Sequence, residues 1–515
     1  MNKKRVLSLS LGLVLGAFLL AACGNNAASQ TQTTEAPAEK TQRAEANEAV
    51  IGIAQDFDSL DPHHMTAAGT KEVLFNMFEG LVKPNAEGEI VPAVAEEVVK
   101  SEDGMTYTFT LREGVTFHNG DPVEMEDVLY SIERRKNGED AAALLEPLQA
   151  IDSMEAEGNT LTLTLSEPNN EFLAYVMNVY ILPADYDEQE TSPVGTGPFR
   201  FVSRAAQDSL VLERFEDYWG EAPALEKVTF KILENADGLV LGLQSGALDL
   251  VAHMSSDQTI QLDEKDFSIE QGSMNLVQAL YLNNAEKPFD DVRVRQALCY
   301  AVDKQGVIDL AFDGYGIPLG TSMFPSFGKY YDESLTEYYP HDVEKAKALL
   351  AEAGFPDGFD MTITVPSNYT PHVNTATVLV EQLREAGVGV TVEPVDWGTW
   401  LEEVYGNRKF QSTITGLTSD NMTARKLLER FGSEVGNNFT NYSNADYDAL
   451  LEEALSSTDD EAQTAAYRAM EKNLTENAAN VYIQDMADLV AVRKGLTGLT
   501  FYPIYVLDVS TLAWE

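Results

Sequence analysis

The chain has 515 residues, with 35 Lys plus Arg against 83 Asp plus Glu and a formal charge of −48. So few cations exclude a general nucleic-acid binder, which must displace counterions from phosphates, and exclude docking on anionic lipid through a basic patch. An apolar fraction of 44% with 9% aromatics is that of a folded chain, and at roughly 150 residues per domain the length allows about three domains.

Lys3, Lys4 and Arg5 precede an apolar run from Val6 to Ala22, short for a membrane span and suited to a signal-peptide core. Leu20-Ala21-Ala22-Cys23-Gly24 looks like a bacterial lipobox, the alternative being an ordinary signal peptide with an incidental Cys. Residues 1–22 are therefore expected to be removed and Cys23 to be lipidated, anchoring the mature chain to the outer face of a membrane. Residues 23–47 hold no aromatic and little that is large and apolar, so they are expected to form a flexible tether. The other cysteine, Cys299, lies in an apolar helical stretch and is expected to be a small buried hydrophobe. Two cysteines make neither a disulfide framework nor a Cys-based zinc site.

From Ala49 the pattern changes to strands and helices. Val50–Ala54 has strand length, and 104–111 and 159–165 alternate polar with apolar as half-buried strands do. Asp342 suits an N-cap for a helix over 343–353 that stops at Gly354. Beyond it the sequence predicts a strand over 361–365, a helix opened by Pro371 and closed at Gly387, and a strand over 388–395. A short helix over 397–405, a strand over 410–417 and a helix over 423–431 follow. This alternation points to right-handed βαβ crossovers in a mainly parallel sheet. Ligands in such sheets sit beyond the carboxyl ends of strands, which singles out the loops 366–371 and 418–423.

Motifs for chemistry are absent. There is no G-x-S-x-G, H-E-x-x-H, Walker loop or C-x-x-C, and the glycines of 314–320 are misspaced for a dinucleotide fingerprint. Among 83 acidic residues, a paired-carboxylate site cannot be told from chance. Six histidines are scattered, only His63 and His64 being adjacent, and neither a metal site nor a cofactor is expected.

Ordered matches run along nearly all of the mature chain. They include Asp58-Ser59-Leu60-Asp61-Pro62-His63, Phe78-Glu79-Gly80-Leu81-Val82 and Ser101-Glu102-Asp103-Gly104-Met105-Thr106-Tyr107. Leu111 to Gly120, Gly195-Thr196-Gly197-Pro198-Phe199, Asp217-Tyr218-Trp219-Gly220 and Pro288-Phe289-Asp290-Asp291-Val292-Arg293-Val294-Arg295 continue the series. In these the chain resembles the family 5 extracellular solute-binding proteins of ABC importers, the peptide- and nickel-binding group. The resemblance implies an α/β, two-lobed fold of the type II periplasmic-binding-protein kind, with an extra small inserted domain and a hinge between the lobes. By analogy, lobe I would be 48–275 with the inserted domain at about 63–189, lobe II 276–488, and 489–515 a return to lobe I. Hinge crossings would fall near 275 and 488. Gly104, Gly114, Gly120 and Gly197 are expected to serve turns, and Arg293 and Arg295 to pair with local carboxylates rather than solute.

The resemblance also implies a solute site. Gly416-Leu417-Thr418-Ser419-Asp420-Asn421 matches the dipeptide-type pattern G-W-T-G-D-N, which places Asp420 where family peptide binders hold the α-amine. Its alternative role is that of an N-terminal acid for the helix over 423–431. Trp397 and Trp400 are aromatic platforms for a peptide or, equally, core residues. Leu417 replaces the pattern's Trp in a pocket wall. The helix opened by Pro371 lacks the Arg that dipeptide binders use for the peptide carboxylate, and His372 stands nearby as a substitute anion holder or metal-chelate ligand.

The expected function is thus a monomeric, lipid-anchored substrate-binding protein without catalytic residues. It would take short peptides, preferably longer than two residues, to an ABC permease at a Gram-positive surface or in a Gram-negative periplasm. A nickel chelate or another small solute is the alternative within the class. A secreted hydrolase and a surface scaffold are the alternatives outside it.

Overall fold

The computed structural model describes residues 43–138, 145–419 and 422–515. The signal peptide, Cys23 and Asp420 lie outside the described residues. The tether expected to reach residue 47 gives way to described chain at Arg43, whose guanidinium bonds both oxygens of buried Asp249 at 2.9 Å. Among the described residues no helix is long and apolar enough to cross a membrane.

The chain folds into two lobes that share one large mixed sheet. Its strands are β1 (Glu48–Ile53), β8 (Phe199–Ala205), β9 (Ser209–Arg214), β10 (Lys227–Ile232), β11 (Leu250–Met254) and β12 (Phe267–Leu282). They continue with β13 (Gly316–Pro318), β14 (Phe359–Pro366), β15 (Val388–Val395), β16 (Ser412–Thr418) and β17 (Asn480–Arg493). The order is β15-β14-β16-β12-β17-β11-β1-β10-β9-β8, with β13 beside β17. A hairpin of β2 (Val82–Pro84) and β3 (Ile90–Pro92) leads to a separate four-stranded sheet. That sheet comprises β4 (Ala95–Lys100), β5 (Thr106–Leu111), β6 (Ile151–Glu157) and β7 (Thr160–Leu165).

Side-chain alternation marks the strands covered on one face. In β5, β7 and β10 every second residue is buried, the others being partly exposed, so one face of each is covered. Central β17 is buried along nearly its whole length, as a strand covered on both faces must be. The pattern in the second half holds: β14 runs parallel to both β15 and β16, the helix Val343–Glu352 leads into β14, and the helix Thr370–Glu385 connects β14 to β15. Asp342 caps the first of those helices by accepting the Lys345 N–H at 2.9 Å.

Packing divides the same way. Clusters around Val277, Tyr281 and Phe439 and around Ile363, Leu379 and Val481 cover the sheet at β12, β14 and β16. Others around Phe230 and Leu250 and around Leu243 and Ala491 cover it at β1, β10 and β11. The four-stranded sheet has its own core around Tyr107, Phe109 and Leu163.

Two matched motifs are structural. Arg295 is buried and donates to the carbonyls of Phe289, Ala478 and Asn477 at 2.7 to 3.0 Å, tying a helix to a loop rather than to a carboxylate. Arg293 pairs with Asp291 at 2.5 Å, as expected. Gly197 is not a left-handed turn residue: a Cβ there would lie 2.6 Å from the Met77 carbonyl carbon, so it is the close approach of two backbones that demands glycine. Cys299 is buried, and burial pushes its thiol up to about 12.

Candidate functional site

Strands β12 and β17 run through both lobes. Phe267–Ser273 pairs with Ala487–Arg493, and Val277–Tyr281 pairs with Asn480–Asp485, with a register break between Ser273 and Val277. At the break Asn275 has a φ of 54°, and Asp485 accepts the Leu276 N–H at 3.0 Å and the Ser273 hydroxyl.

Two cavities open on either side of this break and share Met274. The larger, about 1000 Å³, is lined by Tyr369, Pro371, His372 and Trp397 on one side and by His253, Ser255 and Asp257 on the other. The smaller, about 270 Å³, is lined by Lys71, Phe75, Tyr218 and Asp508 opposite Thr418 and Ser419. A neck lined by His253, Asp488, Tyr502 and Tyr505 touches both. Both loops singled out beyond the strand ends therefore reach this cleft.

The aromatic residues separate by position. Trp397 is 37% exposed in the cleft wall, where its ring stacks in parallel on Trp400 at 5.0 Å and meets Tyr369 at 5.2 Å. Trp400 itself is 3% exposed, belongs to the core and donates its indole N–H to the Thr413 hydroxyl at 2.9 Å. Leu417 is buried in the same core against the strands, not in the cleft wall. For these two, packing is the placement observed.

His372 is also redirected. Its ring lines the large cavity yet is 5% exposed, and burial lowers its pKa to about 4, so it is neutral and holds no anion by charge. Gln278 accepts from the Thr375 hydroxyl at 3.2 Å and the Gln484 amide at 2.8 Å, so its own amide donates to His372 Nδ1 at 2.9 Å. The proton then rides on Nε2, leaving no lone pair on either nitrogen for a metal. Among the described residues, Asp61, His64 and Glu190 bring potential ligand atoms within 4.8 Å of one another. Asp61, however, is already held by Arg134 at 2.5 and 3.0 Å, and the group is an ion-pair network.

Residues without a sequence signal complete the cleft. His253, at a φ of 57° in the irregular end of β11, gives Nδ1 to Asp488 at 2.9 Å and Nε2 to Glu72 at 2.8 Å, and its ring stacks on Tyr505 at 4.4 Å. Burial alone would lower its pKa, but the Glu72 and Asp488 carboxylates outweigh that and raise it to about 10. Tyr502 and Tyr505 belong to an irregular strap over 501–506 that crosses the mouth of the neck. A cluster of aromatics without strand alternation was the signal available for the strap.

A family model described as bacterial extracellular solute-binding proteins, family 5 Middle, matches residues 89–439. The chain is 29% identical over 478 residues to the glutathione-binding protein GsiB of Pectobacterium atrosepticum, covering 89% of this chain and 92% of that protein. It is 28% identical over 519 residues to heme-binding protein A of Haemophilus influenzae, covering 90% and 91%. It superposes on the ABC transporter-associated periplasmic binding protein DppA from Helicobacter pylori, in complex with the peptide STSA. That match has a TM-score of 0.69 and 26% identity over 91% of this chain and 98% of that one.

Proposed function

The chain belongs to the family 5 bacterial extracellular solute-binding proteins, transport receptors that serve ABC importers and are not enzymes, and from that premise we propose that its solute is a short peptide of more than two residues. The observation that carries the reading is the cleft at the β12–β17 register break. Its larger cavity of about 1000 Å³ lies at the top of the roughly 300–1,000 Å³ range of small-ligand sites, and its walls mix aromatic faces with polar groups. A peptide longer than a dipeptide fills such a space, and Trp397 and Tyr369 offer flat apolar surface to side chains of any sequence. The glutathione-binding relative and the peptide complex of the structural neighbour support the same class.

In this reading Asp420 holds the α-amine. Its neighbours Thr418 and Ser419 line the cleft, and a carboxylate facing an ammonium out of bulk water forms a charge-assisted hydrogen bond. The lobes close about the register break at 273–277 and 485–488, because the closed form offers the peptide contacts from both sides. Cys23 carries the lipid that keeps the receptor near its permease. Family members work outside the cytoplasmic membrane with such permeases.

Isothermal titration of residues 43–515 with di- to hexapeptides and their N-acetyl forms tests this. Binding of free tri- to pentapeptides is expected, with Asp420→Asn and acetylation each costing about 2–5 kcal/mol, thirtyfold or more in Kd. Heat from none of the peptides would overturn the reading.

A further inference from the structure

From the smaller cavity we infer that the solute carries a carboxylate on its first or second residue, and that Lys71 receives it; this rests on the peptide reading above. Lys71 lies on the helix Ala68–Leu74, is half-buried and lines the 270 Å³ cavity opposite Thr418 and Ser419, which precede Asp420 in the chain. Every other charged group in that wall is already engaged. Glu79 accepts from Lys83 at 2.8 Å, from the Tyr218 hydroxyl at 2.8 Å and from the Trp219 indole at 2.7 Å. Asp508 accepts from the Tyr502 hydroxyl at 2.7 Å and from the Ser510 N–H and hydroxyl at 2.9 and 2.6 Å. Lys71 alone has no acceptor among the described residues.

Two physical arguments turn that ammonium into a receptor. First, Phe75, Phe78, Tyr180 and Tyr218 line the same space, and apolar walls strengthen any pairing made between them. Second, the chain carries −48, so an anionic group is repelled from most of the surface unless a local cation receives it. Because Lys71 shares its small cavity with the residues flanking Asp420, the carboxylate it pairs with must sit close to the amine. A peptide with Glu or Asp at position 1 or 2 meets that demand, as does a γ-linked glutamyl peptide, whose α-carboxylate adjoins the amine.

The experiment titrates Glu-Ala-Ala, Gln-Ala-Ala, Ala-Glu-Ala, Ala-Gln-Ala, γ-Glu-Ala-Ala and Ala-Ala-Ala into wild type, Lys71→Met and Lys71→Arg, with melting curves to confirm folding. Wild type is expected to prefer at least one acidic peptide over its neutral partner by tenfold or more. Lys71→Met should abolish that preference and Lys71→Arg should keep it. Equal binding of acidic and neutral peptides by wild type, or a preference that survives Lys71→Met, overturns the role of Lys71 and leaves the peptide reading standing. Absence of binding by every peptide overturns the peptide reading, and this inference falls with it.

Discussion

Replacing Glu171 by Gln should stabilise the protein above neutral pH. Glu171 lies in the small-domain core region, just before the helix Phe172–Val176, and is 8% exposed. It accepts the Tyr467 hydroxyl at 3.0 Å and the Arg425 backbone N–H at 3.4 Å, both from across the interlobe boundary, while Asn170 beside it donates to the Ser457 carbonyl at 2.9 Å. The Arg425 guanidinium is turned to Glu429 at 2.6 Å, so among the described residues no cation bonds the Glu171 carboxylate, and burial raises its pKa to about 7 against the hydrogen bonds and the nearby Arg425 charge that lower it. An acid whose folded pKa lies above its unfolded one holds its proton longer in the native state, so stability falls as pH rises from about 4.5 to about 7 and stays low above that. At ~1.4 kcal/mol for each tenfold, the ionised carboxylate costs up to roughly 3 kcal/mol at pH 8. Glutamine keeps both contacts without a charge: its one carbonyl oxygen accepts the Arg425 N–H, and its amide donates to the Tyr467 hydroxyl oxygen, which turns from donor to acceptor. Melting curves of wild type and Glu171→Gln from pH 4 to 8 should therefore diverge by several degrees toward pH 8 and converge at pH 4. A variant that melts at or below wild type at pH 8, or a gap independent of pH, would refute the argument.

The stacked tryptophans should respond oppositely. Trp400→Ala is expected to cost about 3–5 kcal/mol of stability by emptying a core site, whereas Trp397→Ala should cost under about 1 kcal/mol and instead weaken peptide binding tenfold or more; urea melts and titrations separate the two. His253→Gln should destabilise by about 3–5 kcal/mol at pH 7, because Glu72 and Asp488 lose their cation. Since the folded pKa of His253 is raised to about 10, its contribution is complete below about 6.5 and lost as pH rises through 10, so the gap between wild type and variant should close in that window.

How much was legible follows from where the controlling forces act. The alternation in β5 and β7, and the caps and glycines around the helices Val343–Glu352 and Thr370–Glu385, are local, and those elements stand within one or two residues of the reading. The short helix at 397 continues as a wider π-helical turn over Trp400–Gly406, which periodicity alone does not distinguish. Strands β12 and β17 escaped, because a 16-residue strand interrupted at Asn275 and a strand buried on both faces lack the period-2 signature. The fates of Leu417 and His372 were not readable either. Each is decided by partners from strands more than fifty residues away, namely Val277 for the one and Gln278 for the other. Lys71 is the same problem inverted: its distinction is the lack of an acceptor, a property that exists only once Glu79 and Asp508 have found their donors.

In the proposed reading, bending and recognition meet at one place. The proposed hinge is a register break between two antiparallel ladders, the second of which shifts register again between Gln278 and Ala279, and an unpaired stretch between paired ones is where a sheet twists at least cost. The strap is fastened to that stretch, since the Asn275 amide donates to the Tyr502 carbonyl at 3.0 Å. Asn275 also accepts from the Ser326 hydroxyl through its side-chain carbonyl. Tyr505 in turn stacks on His253, whose Asp488 partner lies on β17 just beyond the break. In the peptide reading, a change in the angle between the ladders moves Tyr502 and Tyr505 against Thr418, with which they line the smaller cavity. On that reading, a peptide seated between those groups would gain contacts as the break bends, and that difference in contact between the open and closed forms would be the free energy that drives closure.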